Sequence, residues 1–125
     1  MPEIQRRSPL IRLPEEKRGR IEAKLEEYEA RLARKKAQIV IEDPRYAYLA
    51  PELMKVGTLP LELVGTTYKI AVAKQLLEAG EVNTWDLSRQ LEQRYGRIDV
   101  RRFDNACGVL KAYCEGRDED LAQAS

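Results

Sequence analysis

The sequence contains no histidine, two cysteines, one tryptophan and one phenylalanine among its 125 residues. Without histidine, the chain lacks the commonest general base and the commonest metal-binding side chain. Cys107 and Cys114 lie seven residues apart, which is not a zinc-ligand spacing, and no other cysteine or histidine completes a set of four ligands. We therefore expect no metal, no cofactor and no enzymatic activity.

Long apolar runs are also missing. No stretch approaches the roughly 18 apolar residues of a membrane span, and the chain begins with proline, glutamate and arginines instead of a signal peptide. Cys107 and Cys114 fall in a predicted helix, where side chains seven residues apart stand about 10 Å apart along one face, too far for a disulfide. These features favour a cytoplasmic protein with reduced thiols and no membrane partner.

Neither sign of charge is in large excess. The 22 basic and 21 acidic residues give a net charge of +1, so a polyanion partner can be argued only from local clusters. Hydrophobic residues make up 43% and charged residues 34%, which is typical of a folded helical domain with a densely charged surface. One globular domain with appendages is expected at this length.

The composition changes along the chain and divides it into five segments. Together they predict a mainly α fold, in which a long N-terminal helix precedes a proline-rich connector and a C-terminal unit of three helices. The predicted segments are an extended basic arm over residues 1–14, a long amphipathic helix over 15–40, an apolar connector over 41–65, a tri-helical helix-turn-helix-like domain over 66–116 and an acidic tail over 117–125.

The long helix is rich in Glu, Lys, Arg, Ala and Leu, and it carries a narrow apolar seam. Steps of four and three residues separate the members of this seam. Such a seam must be covered by the chain's own domain, by a second copy or by another protein. The residues predicted to form this protein interface are Ile21, Leu25, Tyr28 and Leu32.

The connector is apolar but is punctuated by three prolines, which forbid one continuous helix. We expect a short extended piece at residues 39–41 and a short helix around residues 51–56. Tyr46 and Tyr48 are expected to pack in the core, although they are also suited to stacking on nucleotide bases.

Three helical patterns follow, each bounded by a capping side chain and a glycine. The side chain of Trp85, near the start of the second helix, is expected to pack partly against the core or the connector. The predicted limits, with the cap first, are Thr66 or Thr67 to Gly80, Asn83 to Gly96, and Asp99 to Gly116.

The last two helices are joined by a turn of four residues that contains a glycine, which is the layout of a helix-turn-helix unit. In such units the second helix enters the DNA major groove with its first residues facing the base edges. Arginine suits guanine and asparagine suits adenine, while other polar side chains hold phosphates. The predicted DNA-binding residues are Arg101, Arg102, Asn105 and Lys111 on the last helix, and Ser88, Arg89 and Arg94 on the helix before it.

The sequence therefore predicts a DNA-binding or DNA-associated accessory protein that contacts DNA through its C-terminal unit. An alternative remains open, because residues 84 to 117 carry seven basic and five acidic side chains, a surplus of only two. Under this alternative the chain is a helical adaptor or structural subunit of a protein assembly and does not contact nucleic acid. Its apolar seam and apolar connector would then bind a larger protein.

Overall fold

The protein is mainly helical, as predicted from its sequence, and its computed structural model describes residues 10–42 and 61–117. A two-stranded sheet accompanies the helices. In chain order the elements are strand β1 (Leu10–Arg12), one turn of 3-10 helix (Glu15–Lys17), helix α1 (Arg18–Glu42), helix α2 (Leu61–Ala79), strand β2 (Glu81–Asn83), helix α3 (Thr84–Tyr95) and helix α4 (Val100–Glu115).

The apolar seam of helix α1 packs against the rest of the described chain. Ile21 and Tyr28 are buried in the core, and Leu25 and Leu32 are half-buried against it. The chain itself therefore supplies the cover that the seam requires. Ile21 and Tyr28, which were predicted to form an interface with another protein, are not accessible to a partner in this arrangement.

The end of α1 differs from the prediction. The prediction of an extended piece at residues 39–41 is wrong, because α1 continues through Glu42. The β-branched side chains there lower helix propensity only slightly, and an established helix gains one hydrogen bond for each residue added. The short helix expected at residues 51–56, and Tyr46 and Tyr48, lie outside the described residues.

Helix α2 lies at the centre of the structure, with its buried side chains between α1 and α4. It begins at Leu61, so Thr66 and Thr67, predicted as capping residues, instead lie within the helix and are buried. Gly65 also lies within α2, where a glycine costs about 1 kcal/mol relative to alanine. Burial on more than one side outweighs that cost and explains why α2 lacks a single apolar stripe. The buried apolar residues of α2 are Leu63, Val64, Tyr68, Ile70, Val72, Ala73 and Leu76.

The small sheet joins the N-terminal arm to the loop after α2. Strand β1 pairs antiparallel with β2, with Ile11 opposite Val82, and both side chains are buried. The backbone N–H of Leu13 adds a hydrogen bond of 2.8 Å to the carbonyl of Gly80. Residues 10–12 of the predicted arm are therefore extended, and Ile11 forms part of the core.

Helices α3 and α4 begin at the predicted caps. The Asn83 side chain accepts hydrogen bonds from the backbone N–H groups of Trp85 and Asp86, at 3.0 and 3.1 Å. The Asp99 side chain accepts one from the N–H of Arg102 at 3.0 Å. Gly96 follows α3 and Gly116 follows α4, both with positive φ.

The turn between α3 and α4 is fastened to α2. The backbone N–H of Asp99 donates a hydrogen bond of 3.1 Å to the hydroxyl of Tyr68. The Tyr68 ring also meets Phe103 edge-on, with 5.7 Å between ring centroids. These two contacts set the position at which α4 begins relative to α2.

We predict that replacing Ile11 with alanine lowers the free energy of unfolding by about 3 kcal/mol, because it removes a buried side chain and leaves a cavity. The matched control is Arg12→Ala. That side chain is exposed and forms only a loose ion pair of 3.7 Å with Glu81, so its loss should cost less than about 0.5 kcal/mol. Urea unfolding of both variants measures the difference. Equal stability of the two variants would show that β1 contributes nothing to the core.

Candidate nucleic-acid interface

Helix α4 has a buried face and a polar face. Phe103, Ala106, Leu110 and Cys114 follow helical spacing and are all buried. The same spacing turns the intervening residues outward, and the side chains exposed on the polar face are Arg101, Asp104, Asn105, Lys111 and Glu115. Three of the four residues predicted on α4 to contact DNA are thus exposed together on one helix.

Arg102, the fourth predicted contact on α4, is held by the helix cap. Its Nη1 lies 2.6 Å from Oδ2 of Asp99, and the Asp99 carboxylate also accepts the backbone hydrogen bond of the cap. The hydrogen bond from the backbone of Arg102, followed by that from its side chain, lowers the pKa of Asp99. The Arg102 side chain is 43% exposed, so this ion pair fixes the guanidinium at the start of α4 without covering it.

The predicted phosphate-binding residues on α3 do not form one group. Ser88 donates a hydrogen bond of 2.8 Å to the Trp85 carbonyl and lines a groove shared with Asp104 of α4. Arg89 is exposed. Arg94, however, lines a separate cleft formed with α1 and α2. Ser88 therefore lies beside the start of α4, whereas Arg94 belongs to another surface.

Trp85 is 65% exposed, so the prediction that it packs in the core is wrong; most of the connector, the other expected neighbour, lies outside the described residues. The Asn83 cap sets the start of α3, and Leu87 and Leu91 then face inward. Because each helical residue advances about 100°, Trp85 stands about 200° from Leu87 and points away from the core. Trp85 lines the same groove as Val100, which is 64% exposed.

Two tyrosine rings are each approached by two positively charged side chains, on a surface that was not identified from the sequence. The Lys24 Nζ and the Arg20 Cζ lie 4.9 and 5.5 Å from the centroid of the Tyr113 ring. Cations within about 6 Å of an aromatic ring are attracted to its face. The Tyr28 ring is approached in the same way, at 5.7 Å each, by Arg31 and Lys69.

Lys35 extends this group of cations along α1. Its Nζ donates a hydrogen bond of 3.1 Å to Oγ1 of Thr66 on α2. Lys35 lies on the same side of the seam as Tyr28, and its side chain therefore links α1 to α2. We call the five side chains the cationic cluster; its members are Arg20, Lys24, Arg31, Lys35 and Lys69.

The positive charges of the cationic cluster repel one another. Glu27 pairs with Lys24 at 3.3 Å and with Arg31 at 3.2 Å. Even so, the pKa of Lys69 is lowered, first by burial and then by repulsion from Arg31 and Lys35. A bound anion would relieve this repulsion, which makes the cluster a physically suitable site for phosphate groups.

Arg102 and the cationic cluster lie along one flank of α4, whereas Arg101 stands about 120° and Asn105 about 80° around that helix from Tyr113. Tyr113 follows Arg102 by eleven residues, which is close to three full turns, so both stand on nearly the same side. The distance along the helix axis is about 16 Å at 1.5 Å per residue. The steps of four, seven and four between the cations of α1 were visible in the sequence, but the contributions of Lys69 and Tyr113 required the tertiary structure.

Both cysteine thiols have raised pKa values. Burial raises the pKa of Cys107 to about 12 and that of Cys114 to about 11, so neither thiol is an activated nucleophile. Within residues 10–42 and 61–117, no three His, Cys, Asp or Glu side chains are grouped to hold a metal ion. None of the helices in those ranges has an apolar stretch of the length that a membrane span requires.

No family model matches the sequence, and comparisons with curated proteins and with solved structures gave no significant match. The chemistry of the described side chains therefore has to support any functional proposal.

Adjacent threonines of α2 give a stability prediction. Thr66 accepts the hydrogen bond from Lys35, whereas the buried Oγ1 of Thr67 has no hydrogen-bond partner among the described residues. Thr67→Val should raise the free energy of unfolding by about 1 kcal/mol, because it removes an unsatisfied buried hydroxyl at nearly constant shape. Thr66→Val, the matched control, should lower it by a similar amount. Thermal unfolding of both variants measures the two shifts, and equal shifts would contradict the assignment of these hydroxyls.

Proposed function

We propose that this protein is a non-enzymatic DNA-binding or DNA-associated accessory protein that uses α3, the following turn and α4 as a helix-turn-helix unit. The observation that supports it best is the joint exposure of Arg101 and Asn105 near the start of α4, with cations of the cluster over the Tyr113 ring near the end of the same helix. These are the two side-chain types that pair most specifically with guanine and adenine in the major groove.

The two surfaces have different tasks in this proposal. Arg101 and Asn105 contact base edges and supply sequence preference, while Arg102 is positioned beside them by Asp99. The DNA phosphates on either side of these bases are contacted by Ser88, Arg89 and Lys111. The cationic cluster binds phosphates and supplies affinity that does not depend on sequence. Arg94 has no place in this interface, because it lines the cleft on the far flank of α1.

The dimensions fit duplex DNA. The start of α4 and Tyr113 are separated by about 16 Å along the helix, whereas the major groove is about 12 Å wide. A helix that inserts its first turns into the groove therefore carries its later turns past the groove edge to the phosphate backbone. The positive charges of the cluster meet the backbone there, although the whole chain has a net charge of only +1.

A second candidate function is a helical adaptor or structural subunit of a protein assembly. It is favoured by the exposed pair Trp85 and Val100, which line one groove together with Ile98. Exposed tryptophan is enriched among the side chains that contribute most to protein interfaces. If this candidate is correct, the purified chain does not bind DNA at 50 mM salt. It associates with itself or with a partner, and Trp85→Ala abolishes that association.

Lys69 provides the sharpest test of the cationic cluster. Lys69→Gln should weaken binding to a mixed-sequence duplex and reduce the slope of log K against log salt by roughly 1, because one phosphate contact is lost. It should also stabilise the protein slightly at low salt, because it removes a repelled charge. Lys74→Gln is the matched control, since Lys74 lies on the same helix but lines the cleft.

Fluorescence anisotropy from about 50 to 200 mM salt measures these slopes. Identical slopes for parent and Lys69→Gln would remove the cluster from the DNA surface. Absence of binding by the parent at the lowest salt would overturn the DNA proposal and favour the adaptor.

A variant of Arg101 tests whether α4 contacts base edges in the major groove. Arg101→Ala should weaken binding to a preferred sequence by about 1–3 kcal/mol while leaving the melting temperature nearly unchanged, because the side chain is exposed. Its effect should be smaller on a random duplex than on the preferred one, which separates base contacts from phosphate contacts. Arg102→Ala is a poorer test, since it also removes the ion pair with Asp99. An equal loss on both duplexes would assign Arg101 to the backbone.

A further inference from the structure

The flank of α1 opposite the cationic cluster borders a cleft that the proposed DNA interface does not use. Helices α1, α2 and α3 border an open cleft of about 400 Å³ there. This volume lies within the range of roughly 300–1,000 Å³ that is common for small-molecule sites. The apolar side chains that line it are Leu32, Ile70, Ala71, Leu91 and Tyr95, with Ala33 of α1 also in the lining.

Three cations and one carboxylate accompany this apolar lining. Lys36 comes from α1, Lys74 from α2 and Arg94 from α3, so each helix supplies a positive charge. Glu29 also lines the cleft and forms a loose ion pair of 3.9 Å with Lys74. The positive charges are therefore only partly neutralised by groups in the lining, and an anion entering the cleft would be attracted.

A buried hydroxyl borders the cleft. The Thr67 side chain is part of the cleft lining and is only 6% exposed. Its Oγ1 has no hydrogen-bond partner among the described residues. Buried polar groups in folded proteins almost always have a partner, so the Thr67 hydroxyl is a local cost beside the cleft. Its Oγ1 has almost no accessible surface, so a ligand in the cleft would meet the rest of the Thr67 side chain and not that oxygen.

We propose that the cleft binds a small amphipathic anion, with an apolar body against Leu32, Ile70 and Leu91 and an acidic head group among Lys36, Lys74 and Arg94. The apolar lining disfavours a highly polar metabolite, and the cations disfavour a positively charged ligand. The volume is too small for a folded partner. The bound anion contacts all three helices at once, so it joins α1 to the helix-turn-helix unit and stabilises the folded chain by mass action.

Octanoate is a suitable probe, because it combines an apolar chain with one carboxylate. Isothermal titration of the full chain should show saturable binding with one site per chain. Octanol and octylamine have the same chain length without the negative charge, and each should bind at least tenfold more weakly. A tenfold difference corresponds to 1.4 kcal/mol, which is within the range of one or two charge-assisted contacts.

Two sets of variants localise the site. Ala33→Trp places a large side chain on the cleft lining and should abolish octanoate binding, whereas Ala30→Trp should leave it unchanged, since Ala30 is exposed on the same helix outside the lining. The double variant Lys36→Gln with Lys74→Gln should weaken octanoate binding about tenfold and leave octanol binding unaltered. Circular dichroism of each variant checks that the fold is retained.

Absence of saturable octanoate binding by the parent would overturn the proposal. So would equal binding by Ala33→Trp and the parent, or equal affinities for octanoate and octanol. These titrations contain no nucleic acid, so their failure leaves the DNA proposal untouched. Loss of DNA binding in Lys69→Gln, in turn, says nothing about the cleft.

Discussion

Burial of α2 on two sides is the constraint around which the other described elements are arranged. Val72, Ala73 and Leu76 have no accessible surface, and they lie in the second half of a 19-residue helix. Helix α1 covers one side with Ile21 and Tyr28, and α4 covers another with its own buried face. Because interiors are packed as densely as crystals, neither neighbour can rotate without opening a void.

This packing gives the two flanks of α1 different chemistry. One flank presents cations above the rings of Tyr28 and Tyr113, while the other borders the cleft between α1, α2 and α3. Both flanks hold features that stability alone does not favour. The pKa of Lys69 is lowered by burial and by neighbouring positive charges, and the buried hydroxyl of Thr67 has no partner among the described residues. Local costs of this kind are typical of sites where a ligand supplies the missing interaction.

The connection between α3 and α4 shows how a few polar groups orient an exposed surface. Asp99 caps α4, pairs with Arg102 and donates its backbone N–H to Tyr68 of α2. The first two contacts set where α4 begins, and the third fixes that start relative to α2, so together they determine which side chains of α4 face outward. Trp85 is exposed for a comparable reason, since the Asn83 cap sets the rotation of α3.

Local rules were enough to predict the mainly helical fold, the Asn83 and Asp99 caps and the glycines after α3 and α4. These features depend on hydrogen bonds between residues that are close in sequence. The same rules misplaced the start of α2, since Gly65 looks like a helix break until burial on two sides offsets its cost. The cationic cluster and the cleft were beyond such rules. Their side chains come from helices far apart in sequence, and only the packing of α1, α2, α3 and α4 brings Lys24 to Tyr113, or Lys36 to Arg94.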